Sequence, residues 1–365
     1  MLNHYFPKST EEILHWYERY ISPLALVAGF LLDTLILTNR VDVWQTNALF
    51  GFYLAVAAIC IISINLIESG RMQFALRIAP FIPVLAQFAF GGLFSGYLAL
   101  YSRSASLAVS WIAVFVLAAL LLGNERFARA YMRVPFQLSM YFGVLFSFLI
   151  FFVPVVLHAV GPLIFLMSGV VSLGIITLFL FLLNKSMPER IAPALKTTVA
   201  SITGIFIFLN GAYFLNVLPP LPLSLKSAGV YHRIVRGSDG AYLLSGEPRA
   251  WYQAYLRYNT MYHKVAGEPI YVFTSVFAPT NLSVGIIHEW QQYDIVLGEW
   301  TIVETVAFQI TGGRDGGYRG YSVAYSPSAG DWRVNVRTRH GQLIGRVNFT
   351  IKSASSTPPL SDTIQ

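Results

Sequence analysis

Hydrophobic and polar positions divide the chain into two halves with different periodicities. Up to residue 218, apolar runs of about 20 residues recur, which is the length that crosses a bilayer core as a helix. Pro219, Pro220 and Pro222 follow the last run, so we expect its helix to end there. Seven transmembrane spans are predicted, at residues 22–38, 46–67, 79–101, 106–123, 136–158, 162–183 and 198–218.

The segment ahead of the first span has a different pattern. In residues 9–20, STEEILHWYERY, Ser9 and Glu12 have the spacing of a capping box. The apolar side chains of this segment fall on one side of a helix. The pattern predicts a surface amphipathic helix within residues 1–21. A regulatory or partner-binding helix is the alternative.

From residue 230 onward, apolar and polar residues alternate with the period that is typical of β-strands. In DWRVNVRT, Trp332 and Val334 fall on one face, and Arg333 and Asn335 fall on the other. Short strands at this spacing predict a β-sandwich of immunoglobulin-like type. The predicted strands are 230–236, 241–245, 268–278, 283–292, 300–311, 317–325, 331–338 and 342–351, and residues 246–264 predict a helix or an irregular excursion.

The fold class is therefore a membrane all-α bundle of about seven transmembrane helices, followed by an all-β immunoglobulin-like sandwich domain. A small, polar C-terminal segment, SASSTPPLSDTIQ, predicts disorder. The predicted regions are a surface helix at 1–21, a seven-helix transmembrane domain at 22–218, a Pro-rich exit at 219–229, a β-sandwich domain at 230–352 and a disordered tail at 353–365.

Composition supports a membrane protein, because 55% of the 365 residues are hydrophobic and only 12% are charged. A soluble domain carries about 25% charged residues. The net charge is +7, but the basic residues do not gather in one patch, so nucleic acid is not an expected partner. The lipid bilayer is the expected surrounding of the helices.

The distribution of Lys and Arg predicts the topology. With the N-terminus inside, the outside loops hold two basic residues, Arg40 and Arg103. The inside segments hold ten, namely Lys8, Arg19, Arg71, Arg77, Arg126, Arg129, Arg133, Lys185, Arg190 and Lys196. This bias predicts a cytoplasmic N-terminus. Seven spans then place the β domain outside, which for a bacterial inner-membrane protein is the periplasm.

Three stretches carry a resemblance to a known family: IYVFTSVFAPT (270–280), IIHEW (286–290) and GDWRVNVRTRHGQLIGRVNF (330–349). They resemble a bacterial domain of unknown function, the 2914 class, which follows membrane helices in polytopic proteins. The resemblance implies a bacterial membrane protein with a β-sandwich-like C-terminal domain. It supplies no catalytic residue.

Polar residues inside apolar spans are the candidates in the helical half. Asp33 in the first span is costly in lipid and is therefore a functional candidate. Its candidate partners are Gln87 in the third span, Asn210 in the seventh, and Arg103 or Arg40 at the outer edge. A structural hydrogen bond between helices, or a position near the wet interface, is the simpler explanation of Asp33.

Candidate binding residues of the β half are basic and aromatic. Arginine donates paired hydrogen bonds to carboxylate or phosphate, and aromatic rings offer flat stacking faces. His288 shares a sheet face with Trp290, so it is either a core histidine or part of a binding surface. A surface for an envelope glycan, a lipid headgroup or a protein partner is predicted from Arg314, Tyr318, Arg319, Tyr321, Arg333 and Arg337.

Catalytic and metal-binding patterns are not found in the sequence. The seven histidines are scattered without ligand spacing, and the single cysteine, Cys60, lies in an apolar run. We therefore predict no catalytic residue, metal or cofactor. The sequence favours a non-enzymatic envelope protein whose β domain binds a ligand or partner. A transporter or membrane enzyme with its site near Asp33 is the alternative.

Overall fold

The structure is a computed structural model with two compact units, one helical and one built from β-strands. It describes residues 43–71, 79, 81–104, 107–123, 130–218, 222–238, 240–248, 259–280, 282–313 and 316–365. The surface helix predicted within residues 1–21 and the span predicted at 22–38 lie outside these residues.

The described part of the helical unit contains six long helices. Among the described residues, five segments are long and apolar enough to cross a membrane, compared with the seven predicted for the whole chain. The 17 residues of the third helix are at the lower limit of a membrane span, and the first predicted span is not described. The helices are α1 (Trp44–Glu68), α2 (Phe81–Ser104), α3 (Leu107–Gly123), α4 (Val134–Leu157), α5 (Pro162–Ser186) and α6 (Leu195–Phe214), with a single turn at Pro188–Ile191 before α6.

Local chemistry explains where these helices begin and end. Pro162 occupies the first position of α5. An amide at this position makes no hydrogen bond within the helix, so proline costs the helix nothing there. Helix α6 ends at Phe214, before the prolines that were expected to stop it. Asn216 has a φ of 57° in the left-handed region, and the Val217 amide donates back to the Ala212 carbonyl at 2.8 Å. Asn216 therefore terminates the helix in the way that glycine often does.

Aromatic packing joins α1, α2 and α4. The rings of Phe50, Tyr97 and Phe151 are fully buried, and their centroids lie 5.2 to 5.8 Å apart. The Tyr97 hydroxyl donates to the Val144 carbonyl at 2.8 Å, so its polar atom is satisfied inside the apolar core. These contacts set the spacing of the three helices.

The β unit contains eleven described strands in three sheets, and each of the eight predicted strands overlaps an observed one. The sheet orders are β1–β5–β8, β4–β10–β9–β6–β7 and β11–β3–β2, with only the β4–β10 pair parallel. The strands are β1 (Ser224–Tyr231), β2 (Arg233–Arg236), β3 (Tyr242–Gly246), β4 (Met261–Lys264), β5 (Ile270–Phe277), β6 (Ser283–Asp294), β7 (Glu299–Thr311), β8 (Tyr318–Ala324), β9 (Gly330–Thr338), β10 (Leu343–Ser353) and β11 (Ser361–Ile364).

Strand β5 separates two layers of side chains. Ile270 and Val272 pack into a core with Trp290 of the five-stranded sheet, and all three are fully buried. Phe273 points to the opposite face, where it packs against Tyr242 of the small third sheet. Burial of each large apolar side chain stabilises the fold by about 1.5–3 kcal/mol. The β-rich C-terminal domain is confirmed, and its immunoglobulin-like type stays a prediction.

Two predicted segments before β5 differ from the structure. The exit predicted at 219–229 is shorter, because β1 begins at Ser224 and pairs with β5. The end of the 246–264 segment forms β4, which pairs in parallel with β10. Strands β1 and β4 contain few alternating apolar residues. Their pairing depends on the backbone, which the sequence pattern does not report.

The prediction of a disordered tail at 353–365 is wrong for its last residues, because β11 pairs antiparallel with β3. Ser245 Oγ donates to the Asp362 carboxylate at 2.6 Å, and the Gln365 amide donates to the Tyr242 carbonyl at 3.0 Å. Backbone pairing to a strand more than a hundred residues away orders a segment whose own composition is polar.

Replacing Thr363 by proline tests the role of β11. Thr363 pairs with Leu244 in the same alternation as the bonded Gln365–Tyr242 pair, so proline removes a ladder hydrogen bond. We expect faster hydrogen exchange of the β3 amides in the full-length protein. Ser356→Pro, outside the strand, is the matched control. Equal exchange in both variants would contradict a structural role for β11.

Candidate functional site

A group of polar side chains, two of them buried and four half-buried, lies on the side of the five-stranded sheet that faces away from the core. Along β9, Trp332 and Val334 point into the core, so the residues between them point outward. Residues from β6 and β10 join them, because these strands flank β9. We call the resulting group the arginine face, and it consists of Glu289, Gln291, Arg333, Asn335, Arg337 and Arg346.

Glu289 is the acceptor at the centre of the arginine face. Its Oε1 accepts hydrogen bonds from Gln291 Nε2 at 2.7 Å and from Asn335 Nδ2 at 2.9 Å. Arg337 Nη2 lies 3.3 Å from the same oxygen. One carboxylate oxygen therefore fixes three neighbouring side chains.

The two other arginines are positioned by amide oxygens. Arg333 Nε donates to Gln291 Oε1, and Arg346 Nε donates to Asn335 Oδ1 at 2.6 Å. Because these acceptors are neutral, neither contact cancels a positive charge. The Gln291 and Asn335 amides position one nitrogen of each guanidinium group and contribute no negative charge themselves.

Positive charge is in excess among these six residues, with three guanidinium groups and one carboxylate, although Asp331 adds a second carboxylate on the same side of β9. Burial, together with the positive charges of Arg346 and Arg337, lowers the pKa of Arg333 to about 10. Arg333 therefore stays protonated at neutral pH, at a cost that a bound anion would relieve. Arg337 Nε is buried and has no hydrogen-bond partner among the described residues.

An aromatic pair lies at one end of the arginine face. The Arg333 guanidinium is 4.3 Å from the ring centroid of Trp300, within the range of a cation–π contact. Trp300 lies directly opposite Tyr293 in the β6–β7 hairpin, with ring centroids 5.3 Å apart. The face therefore combines guanidinium donors with flat rings.

The structure separates the predicted basic and aromatic residues into two groups. Arg333 and Arg337 lie on the arginine face, whereas the residues of β8 belong to the three-stranded sheet. Tyr318 packs against the core, and Tyr321 lies on the other side of β8, near Tyr242. Arg319 shares the side of Tyr321 by alternation, and Arg314 lies outside the described residues. The described members of the predicted surface therefore lie on two different sheets.

His288 is a core residue rather than part of a surface. It is fully buried, and its Nδ1 and Nε2 lie 2.8 Å from Ser322 Oγ and 2.8 Å from Thr274 Oγ1. Burial lowers the pKa of His288 to about 3, so the ring is neutral. A neutral imidazole serves both hydroxyl groups, with one nitrogen donating and the other accepting.

The part of the chain that carries this geometry matches a known family model. Residues 284–351 match DUF2914, a protein family of unknown function. This confirms the resemblance seen in the sequence. The DUF2914 segment runs from β6 to β10, so it contains the whole arginine face and the aromatic pair.

Other comparisons add little to the DUF2914 match. No curated protein matches the chain. Among solved structures, the chain is similar to the Pseudomonas fluorescens alkylpurine DNA glycosylase AlkC bound to DNA containing an abasic site analogue. The two share 10% identity over 84% of this chain and 99% of that chain, with a TM-score of 0.23. At this TM-score the similarity supports no statement about fold or function.

A cluster of ionisable groups lies in the β unit before the DUF2914 segment. His232 is almost fully buried, with Nδ1 2.7 Å from Glu268 Oε1 and Nε2 3.2 Å from Glu247 Oε1. His263 Nδ1 lies 2.8 Å from Glu247 Oε2. The His232 ring stacks on Tyr262 at a centroid distance of 4.1 Å. The cluster joins the β1–β2 junction to the end of β3, to β4 and to the β4–β5 loop.

The geometry fixes the protonation of His232. Both ring nitrogens face carboxylate oxygens, so both carry a hydrogen and the ring is an imidazolium. Burial alone would lower the pKa of His232, but the hydrogen bonds to Glu247 and Glu268 outweigh it and raise the pKa. Burial likewise opposes ionisation of Glu247, yet its hydrogen bonds from His232 and His263 leave the pKa lowered. Within the described residues, no His, Cys, Asp or Glu group has a metal-binding arrangement.

Two of the three polar candidates of the helical unit, Gln87 and Asn210, lie among the described residues. Asn210 Nδ2 donates to the Phe206 carbonyl of its own helix at 2.7 Å, and Gln87 is buried in α2. Asp33 lies outside the described residues. The structure therefore leaves the predicted grouping of these three residues as a prediction.

A polar network that the sequence did not indicate joins α1, α4 and the turn before α6. Asn65 Nδ2 donates to Gln137 Oε1 at 2.7 Å, and both side chains are fully buried. Arg190 Nε donates to Asn65 Oδ1 at 3.1 Å, and its Nη1 lies 3.5 Å from Glu68. These residues lie near the ends of apolar runs, where a polar side chain does not by itself indicate a contact between helices. Only the helix packing shows that they meet.

The helical unit also contains an apolar cavity of about 260 Å³ between α2, α3, α4 and α6. Tyr97, Met140 and Leu209 are among the side chains that line it. No Asp, Glu, Lys, Arg or His occurs among the described residues of this lining. The cavity suits an apolar group.

The His232 cluster predicts a pH-dependent stability. Its raised pKa means that the contribution of His232 is complete below the unfolded value of 6.5 and is lost as pH rises through the folded pKa. The lowered pKa of Glu247 means that its contribution is complete above 4.5 and is lost as pH falls through the folded pKa. The cluster therefore stabilises the fold most between these two values.

We expect His232→Gln to lower the free energy of unfolding by about 2 kcal/mol near pH 6, and by less at higher pH. Thermal unfolding of the full-length protein, followed by tryptophan fluorescence across this pH range, measures the difference. His340→Gln, at an exposed position, is the control. A difference between wild type and His232→Gln that grows with rising pH would contradict the imidazolium assignment.

Proposed function

We propose that this protein is anchored in a bacterial inner membrane and that its β domain binds an anionic group on the arginine face. The observation that supports the proposal is the excess of guanidinium groups around Glu289, held in place by neutral amides. An arrangement that keeps like charges together favours a bound carboxylate or phosphate. Nothing in this role requires catalysis.

Membrane anchoring is supported by the outward surface of the helices. Helix α5 is almost wholly apolar, and its side chains Leu163, Val170 and Leu178 are 70%, 63% and 59% exposed in the protein alone. Such a surface is unfavourable in water and favourable in lipid. Together with five helices of membrane-spanning length, it supports a multi-pass membrane protein.

The orientation is also a proposal. The excess of Lys and Arg in alternate loops supports a cytoplasmic N-terminus. Seven spans, counting residues 22–38 and α3, then place the β domain in the periplasm. Candidate ligands there are an acidic envelope glycan, a lipid headgroup or an acidic segment of a partner protein.

Replacing Arg333 by glutamine tests anion binding. The change removes a charge and the contact with Trp300 but keeps a polar side chain with the same Cβ–Cγ–Cδ stem. We expect the affinity of the full-length protein for glycerol 1-phosphate to fall about tenfold or more, since hydrogen bonds to charged groups contribute about 1.5–3 kcal/mol. Isothermal titration in detergent micelles measures it, with Arg337→Gln expected to act in the same direction.

Arg236→Gln is the matched control, because Arg236 also stacks on an aromatic ring, that of Tyr242 at 5.8 Å, but outside the arginine face. Asp33→Asn addresses the alternative of a transporter or membrane enzyme with its site near Asp33. Unchanged binding in Arg333→Gln, or an equal loss in Arg236→Gln or Asp33→Asn, would contradict the proposal.

Cysteine labelling tests the orientation. In a Cys60→Ala background, Ile364→Cys places a thiol at a side chain that is 75% exposed. We expect a membrane-impermeant maleimide to label it in intact spheroplasts. Glu189→Cys, at the exposed turn before α6, is expected to react only after lysis. The reverse pattern would place the β domain in the cytoplasm.

A further inference from the structure

The turn between β6 and β7 presents three consecutive aliphatic side chains to solvent. Ile295, Val296 and Leu297 are 84%, 94% and 63% exposed. We call these three residues the hairpin tip. Farther along β7, Ile302 is 60% exposed, so the apolar surface continues down the hairpin.

The backbone of the hairpin tip is held in one conformation. Asp294 Oδ1 accepts hydrogen bonds from the amides of Val296 at 2.8 Å and Leu297 at 3.0 Å. The Gly298 amide donates to the Asp294 carbonyl at 2.8 Å, and Gly298 has a φ of 70° that favours glycine. Exposure of the aliphatic side chains is therefore built into the turn.

Side-chain chemistry changes in a fixed order away from the hairpin tip. The aliphatic apex is followed by the aromatic pair of Tyr293 and Trp300, and then by Arg333 above the Trp300 ring. A bilayer has the same order, with hydrocarbon first, then the interface that aromatic rings prefer, then headgroup phosphates. The apex extends beyond the aromatic pair by one strand pair, Asp294–Glu299, and a four-residue turn.

We propose that the hairpin tip inserts into a lipid bilayer, with the aromatic pair at the interface and Arg333 at the headgroup phosphates. This rests on the proposed function and names its anionic group as a phospholipid headgroup. Nine residues, 215–223, separate α6 from β1, so the membrane in which the helices are proposed to lie is within reach of the chain.

Acidic residues near the hairpin tip are compatible with this placement. The Asp294 carboxylate is engaged by two backbone amides, and Glu299 is exposed at the other shoulder of the turn. Both lie between the apex and the aromatic pair, so the proposed placement puts them within the interface and deeper than Arg333. A convex apex of three residues also suits penetration of a lipid layer better than packing against a flat protein surface.

Depth-dependent quenching tests the proposal. In a Cys60→Ala background, an environment-sensitive fluorophore on Val296→Cys is placed in the full-length protein, reconstituted into nanodiscs of phosphatidylcholine and phosphatidylglycerol. We expect blue-shifted emission that is quenched by lipids with a nitroxide on the acyl chain and not by iodide. Adding Ile295→Ser and Leu297→Ser is expected to abolish the nitroxide quenching.

Ile364→Cys with the same fluorophore is the matched control, because Ile364 is also a largely exposed aliphatic residue, on β11. We expect iodide, not nitroxide lipid, to quench it. Iodide access to the Val296 label overturns the proposal, and so does a label that neither quencher reaches, which would mean cover by a second copy or a partner protein. Failure to reconstitute, or phosphate binding insensitive to Arg333→Gln, would instead count against the proposed function.

Discussion

A hydrogen-bonded bridge between the two main sheets fixes the register of the β domain. His288 on β6 contacts Thr274 of β5 and Ser322 of β8, and Trp290 Nε1 donates to the same serine oxygen at 3.0 Å. A buried polar group without a partner costs about 1–3 kcal/mol, so these side chains require the opposite sheet in its observed place. With His288 and Trp290 fixed inward, alternation turns Glu289 outward. The arginine face is thus a consequence of the core.

Two histidines show how surroundings decide charge. His288 meets only hydroxyl groups in an apolar core and is neutral, whereas His232 lies between two carboxylates and is an imidazolium. The first links sheets without introducing a charge. His232 belongs to a cluster of ion pairs that links four segments of the chain, in a region outside the DUF2914 segment. The domain therefore combines a core insensitive to mild acidity with a junction that responds to it.

Sequence periodicity located most helices and strands, because apolar runs and alternation report burial directly. It also found Arg333 and Arg337 as outward residues of one strand. Their partners could not be found in this way, since Glu289 meets them only through the order β10–β9–β6, which alternation does not encode. Tyr318 and Arg319 were grouped with them for the same reason. Strand β11 was missed because backbone pairing with β3 leaves no mark on a polar sequence.

The strand order has a consequence for how the domain assembles. Neighbours in the sheets are often distant in sequence, and the contact between Ser245 and Asp362 spans 117 positions. Chains dominated by such pairings close large loops before they gain stabilising contacts, so they fold in milliseconds to seconds. During that interval the apolar edge strand β7 has no protection from other nascent chains. Slow assembly therefore makes this domain dependent on conditions that delay aggregation.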